Sequence, residues 1–142
     1  GATLIYPNQN KLIIDAGTCI TYDFVNAENQ YLGGAISPGI KIRYKSLNNY
    51  TSKLPLLTLS EDFEIIGNST KSAIHSGVIN GVLFEIEGFI SQYSLKNQDL
   101  TIILTGGDAE FLAKRLKSTI FANSNFLLES LNLLSLYTQK ND

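Results

Sequence analysis

One cysteine and one histidine are all that the 142 residues hold of either type. A lone Cys19 excludes an intrachain disulfide, and one Cys with one His excludes a metal cluster of the zinc kind. His75 falls inside a long helical pattern, where a core or surface role is expected rather than a general base. No Ser-His-Asp arrangement stands out. Cys19 sits in an apolar, strand-like run with no electropositive neighbour in sequence, so a small buried hydrophobe is expected rather than a reactive thiol. Charge is sparse too: 17% of residues, net −2. The densest basic stretch, Lys41, Arg43, Lys45 and Lys53, reads as a solvated helix face, and a nucleic-acid partner is not expected. Linkers, repeats, low-complexity tracts and secretion-signal features are missing. No apolar run looks long enough to span a bilayer, so a cytoplasmic chain without a membrane partner is expected.

What is present is the composition of one globular domain, 44% hydrophobic. Residues 11–16, 19–25 and 30–36 are short, β-branched or aromatic runs bounded by turn residues, and predict three strands. Pro38-Gly39 opens a helical stretch of about 39–53, and 54–66 reads as a loop with short extended pieces. Ile74, Val78, Val82, Ile86, Phe89, Ile90 and Tyr93 recur at helix spacing, with Ser69 or Thr70 as the cap. Gly77, Gly81 and Gly88 share another face of that helix, so a close-packed neighbour is expected there. LTIIL (100–104) predicts a strand buried on both sides, followed by a helix over 109–118 capped by Asp108. An extended piece near 125–128 and a helix over 130–139 complete an α/β domain with a mixed sheet, in the order β-β-β-α-α-β-α-β-α.

Three glycine clusters carry the chemistry. Asp15-Ala16-Gly17-Thr18 joins two strands; its N–H groups and the Thr18 hydroxyl suit a phosphate, and Asp15 suits an accompanying hard cation. An ordinary hairpin with an Asx-type turn would read the same way. Gly33-Gly34 with Pro38-Gly39 comes near a P-loop but fails it, because Ile40 precedes Lys41 and Ile42 stands where Ser or Thr is needed. Turn and helix-start chemistry explains that cluster equally well. Thr105-Gly106-Gly107-Asp108 follows a buried-type strand and precedes a helix, where open α/β sheets bind ligands. A tight βα loop with an Asp cap is the alternative there.

Taken in order, IIDAGTCITYDF, YLGGAISPGIKIRYKSL, TSKLPLL, IGNSTKSAIHSGVINGV and IILTGGDAEFL resemble the successive motifs of type III pantothenate kinase. The resemblance covers residues 11–113. It implies a ribonuclease H-like domain of the actin-like ATPase type. It also implies transfer of the ATP γ-phosphate to pantothenate, giving 4'-phosphopantothenate, the first step of coenzyme A synthesis. ATP, Mg2+ and a monovalent cation, K+ or NH4+, are the implied cofactors, and a homodimer built on the long helix is the implied assembly. Carried over motif by motif, Asp15 would sit at the monovalent cation, Gly17 and Thr18 at ATP phosphate, and Gly106 and Gly107 at the adenosine. Thr70 would meet pantothenate, and Gly33 and Gly34 would lie near the cleft floor. Family members also carry a D-x-G-N-T-type turn and a G-x-D-R motif whose aspartate is the implied general base; neither occurs in these residues. The expectation is a single domain, residues 1–142, equivalent to the C-terminal half of a two-domain kinase and inactive alone. Ser130 stands where the family pattern has glycine. The competing expectations are a non-catalytic transcriptional accessory protein of the same family and another actin-like kinase.

Overall fold

The computed structural model describes residues 1–141. Strands β1 (Lys11–Ala16), β2 (Cys19–Val25) and β3 (Tyr31–Pro38) form an antiparallel meander. Strand β4 (Thr101–Thr105) then pairs parallel to β1, and the two-residue β5 (Phe121–Ala122) pairs parallel to β4. The sheet is therefore mixed and five-stranded, in the order β3-β2-β1-β4-β5. A short helix absent from the sequence reading, α1 (Ala2–Ile5), precedes β1.

The period of two along each strand divides the core. Leu12, Ile14, Ala16, Ile20, Tyr22, Ile102 and Leu104 face one side. They pack there against α2 (Ile40–Asn49), the long helix and α5 (Ala109–Ala113). Ile103 and Ile13 face the other side and meet Ala2 of α1 and Phe126 of α6 (Phe126–Asn141). The same alternation corrects the expectation for Cys19: Ile20, Tyr22 and Phe24 point inward, so Cys19 points out and is exposed.

The long helix runs as α3 (Thr70–His75), a π-helical turn (Ser76–Asn80) and α4 (Gly81–Lys96). Ser69 is its cap, exchanging hydrogen bonds with Ser72 in a capping box, which leaves Thr70 as the first helical residue. Against expectation, these 27 residues are long and apolar enough to cross a membrane by length and composition. Half of the most apolar window is buried inside the domain, as in a core helix. Among the described residues of this one chain, nothing packs closely on the glycine face. A Cβ at Gly77 or Gly88 would meet nothing within 4 Å, and one at Gly81 only the Arg43 guanidinium, 3.8 Å away.

Element ends differ where side chains satisfy backbone groups. Helix α2 stops at Asn49 rather than about 53, because Thr51 Oγ1 donates to Leu47 O and Asn48 Nδ2 donates to Leu54 O. Helix α5 stops at Ala113 rather than 118. Glu87 takes the N–H groups of Lys117 and Ser118, which therefore do not continue the helical ladder. Asp108 occupies the N-cap of α5 but makes no side-chain cap bond. The extended piece lies at 121–122, and α6 begins at Phe126 instead of 130. Asn123 organises that start: its N–H donates to Leu104 O, its Oδ1 accepts from Asn125 N–H, and its Nδ2 donates to Glu129 Oε2.

Candidate functional site

The carboxyl ends of the parallel pair β1 and β4 are the natural ligand position of such a sheet. In the parallel register Asp15 lies opposite Thr105. The chain leaves β1 through Gly17 and Thr18, and leaves β4 through Gly106, Gly107 and Asp108. The two exits touch: Asp108 N–H donates to Ala16 O at 3.0 Å. Gly106 has φ +98°, and a Cβ there would come within 2.6 Å of Asp15 Oδ1. Only glycine fits on both counts.

Gly39 closes the same turn from the other side. Its N–H donates to Thr18 O at 3.0 Å, and a Cβ on it would run into the carbonyl oxygens of Gly17 and Thr18. Pro38-Gly39 therefore buttresses the Asp15–Thr18 turn as well as starting α2. Gly33 and Gly34 do not join this group. They lie in the edge strand β3, where Gly34 packs on the Tyr22 carbonyl and Gly33 faces open space.

Beside the turn is a cavity of about 580 Å³. Its walls include Gly17, Thr18, Lys41, Tyr44, Lys45 and Asp108, with Leu56–Leu59 of the following loop. Two lysines were missed as site residues by the sequence reading. Lys41 and Lys45 are four residues apart, so one face of α2 brings both side chains to the cavity wall. Arg43 points elsewhere, donating to Glu85 at 2.8 Å and to Pro38 O at 2.8 Å. The spacing of the lysines was visible in the sequence; the direction in which α2 faces was not.

Burial pushes the Asp108 carboxyl above its ordinary range, although nearby Lys41 pulls it down. Burial raises the Tyr44 phenol to about 12, so it is protonated at neutral pH. Asp15 is half-buried at the base of the turn, Thr18 is exposed, and Gly107 is open to solvent. Thr70 is not in this cavity. It borders a separate depression of about 410 Å³ with Leu47, Leu54, Ala73, Ile74 and Gly77. A third groove, about 610 Å³, runs along α4 beside Phe89 and Tyr93, away from all three glycine clusters.

The site thus offers the Thr18 hydroxyl and two lysines for an anion, with the Asp15 carboxyl at the base of the turn and the Asp108 carboxyl in the cavity wall. Among the described residues no three His, Cys, Asp or Glu side chains cluster as a metal cage.

The family model of type III pantothenate kinase matches residues 1–92. The type III pantothenate kinase of Flavobacterium johnsoniae is 63% identical over 142 residues, which are all of this chain and 58% of that protein. That of Cytophaga hutchinsonii is 43% identical over 137 residues, covering 96% of this chain and 58% of that protein. A solved structure from Campylobacter jejuni, described as a Baf family transcriptional activator, superposes with a TM-score of 0.69 at 22% identity. It covers 98% of this chain and 62% of that one, and shows the shared fold. The chain thus spans about 58% of the length of the curated relatives it matches. With its family model aligned over residues 1–92, this chain belongs to the type III pantothenate kinase family.

Proposed function

We propose that the chain forms the nucleotide-binding part of an enzyme that phosphorylates pantothenate to 4'-phosphopantothenate with ATP, opening coenzyme A synthesis. The observation that carries this reading is the convergence of Gly39 and Gly106 on the Asp15–Thr18 turn, beside a cavity lined by Lys41 and Lys45. Phosphoryl transfer relies on positioning and charge neutralisation, and this arrangement supplies both. Thr18 and the two lysines hold the phosphates at the turn that Gly17 shapes, its own N–H being bonded to Cys19 O, while Gly106 and Gly107 border the adenosine. The sheet order, with β2 alone antiparallel to the central pair, supports a ribonuclease H-like domain of the actin-like ATPase type.

Asp15 fits a cation, since its carboxylate fills the space that a Cβ on Gly106 would need and has carbonyl oxygens near it. One carboxylate with neutral oxygens suits a monovalent ion, K+ or NH4+, better than a caged divalent one. Mg2+ would enter with the ATP, neutralising phosphate charge. Thr70, exposed at the capped start of α3, is the pantothenate contact. The open Gly77, Gly81 and Gly88 face is the homodimer contact, and the protein works in the cytoplasm.

The test is a chimera in which this chain replaces the aligned 142 residues of the Flavobacterium johnsoniae kinase. The account expects pantothenate-dependent ADP release in potassium buffer, with this chain alone giving none. A folded chimera that releases no ADP with pantothenate contradicts it.

A further inference from the structure

Tyr44 and His75 form a buried polar pair that the proposed site leaves unused. Tyr44 OH and His75 Nδ1 share a hydrogen bond of 2.6 Å, their rings are edge-on, and the two side chains are 2% and 6% exposed. The Tyr44 ring also forms part of the cavity wall beside Thr18. His75 closes α3, whose first residue is Thr70. The next residue opens the π-helical turn Ser76–Asn80, a feature that often marks functional segments.

The other flank of the cavity ends at the same place. Ser76 Oγ donates to Ile65 O at 2.7 Å, and Asn80 Nδ2 donates to Glu64 O at 3.4 Å. These bonds hold the loop that carries Leu56–Leu59. Helix α2, through Tyr44, and the far end of the loop, through Glu64 and Ile65, are therefore both fastened to the segment joining α3 to α4. Thr70 itself stands outside the cavity, so a bound nucleotide reaches it through this segment and not by direct contact.

We propose that Tyr44 and His75 are a positioning pair that couples nucleotide occupancy of the cavity to the start of α3, where Thr70 meets the second substrate. The inference rests on the nucleotide reading of the cavity. A buried hydrogen bond of this kind can carry such coupling, because displacing one ring must either drag the other or leave a polar atom unpaired.

Hydrogen exchange by mass spectrometry on the 142-residue chain tests it, with and without magnesium ATP. In the native chain ATP should slow exchange in both segments 16–20 and 70–76. In Tyr44→Phe the slowing at 16–20 should persist and that at 70–76 should be lost. His75→Gln, which can still bond the phenol, should keep part of the response at 70–76, and His75→Leu, which cannot, should lose it and serves as the second variant if Tyr44→Phe does not fold. Equal slowing at 70–76 in native and Tyr44→Phe chains overturns the coupling. So does slowing at 16–20 alone in the native chain. No slowing at either segment overturns the nucleotide reading, and the coupling falls with it.

Discussion

Lys41 and Lys45 are the side chains on which the anion reading can be tested directly. Both side chains line a cavity that also holds Asp108, a carboxyl whose charge only partly offsets two lysines. Lys41→Ala or Lys45→Ala is expected to weaken ATP binding about tenfold, the equivalent of one charge-assisted hydrogen bond. The loss should shrink as salt is added. Titration calorimetry at two salt concentrations checks both, and unchanged affinity would remove the lysines from the site. The turn through Gly17 and Thr18 was legible in the sequence because a glycine between two strand-like runs marks a turn. The lysines were not legible, because the facing of α2 depends on Ile40 and Tyr44 sinking into the core. Cys19 was misread although the alternation of Ile20, Tyr22 and Phe24 already placed it on the outer face. His75 was read only as core or surface; its bond to Tyr44 spans 31 residues and left no local trace.

Among the elements, Glu85 ties the most together. It accepts from Tyr22 OH at 2.7 Å, Ser37 Oγ at 2.7 Å and Arg43 Nη2 at 2.8 Å, joining β2, β3 and α2 to α4. Burial pushes its carboxyl up, but those hydrogen bonds and the Arg43 charge outweigh burial and leave it below the ordinary range. A carboxyl lowered by folding stabilises the fold above its unfolded pKa, and that stability is lost as pH falls through the folded pKa. Glu85→Gln should therefore lower stability at neutral pH by about 1–3 kcal/mol and flatten its decline in acid. Urea unfolding at neutral and acidic pH measures both, and an unchanged acid profile would mean that Glu85 is not the group responsible. The existence of β1 to β4, α2 and the long helix was legible from periodicity. The ends of α2 and α5 and the start of α6 were not, since Thr51, Glu87 and Asn123 set them through bonds to backbone groups. Helix α1 was missed because four residues are too few to show a period.

On the scale of the whole molecule, the domain is well packed on one side of the sheet and thinly covered on the other. Among the described residues, the buried apolar cluster of the second side is Ala2, Ile103 and Phe126, with Tyr6 and Ile13 packed on it, while Leu127, Leu128, Leu131 and Leu134 of α6 are exposed. Ser130 of α6, set against Gly1, is buried with an unpaired hydroxyl. The glycine turns, by contrast, come from three distant parts of the sequence and meet at one end of the parallel strands. That meeting could be expected from the motifs, but the contacts of Gly39 and Gly106 with the Asp15–Thr18 turn required the fold. The claim that this meeting point receives ATP phosphates is tested most directly by amide chemical shifts of the labelled chain titrated with magnesium ATP. The account predicts shifts centred on Gly17, Thr18, Gly106 and Gly107, with Gly33 and Gly34 unmoved. A saturable response elsewhere, or none at these four, would contradict it.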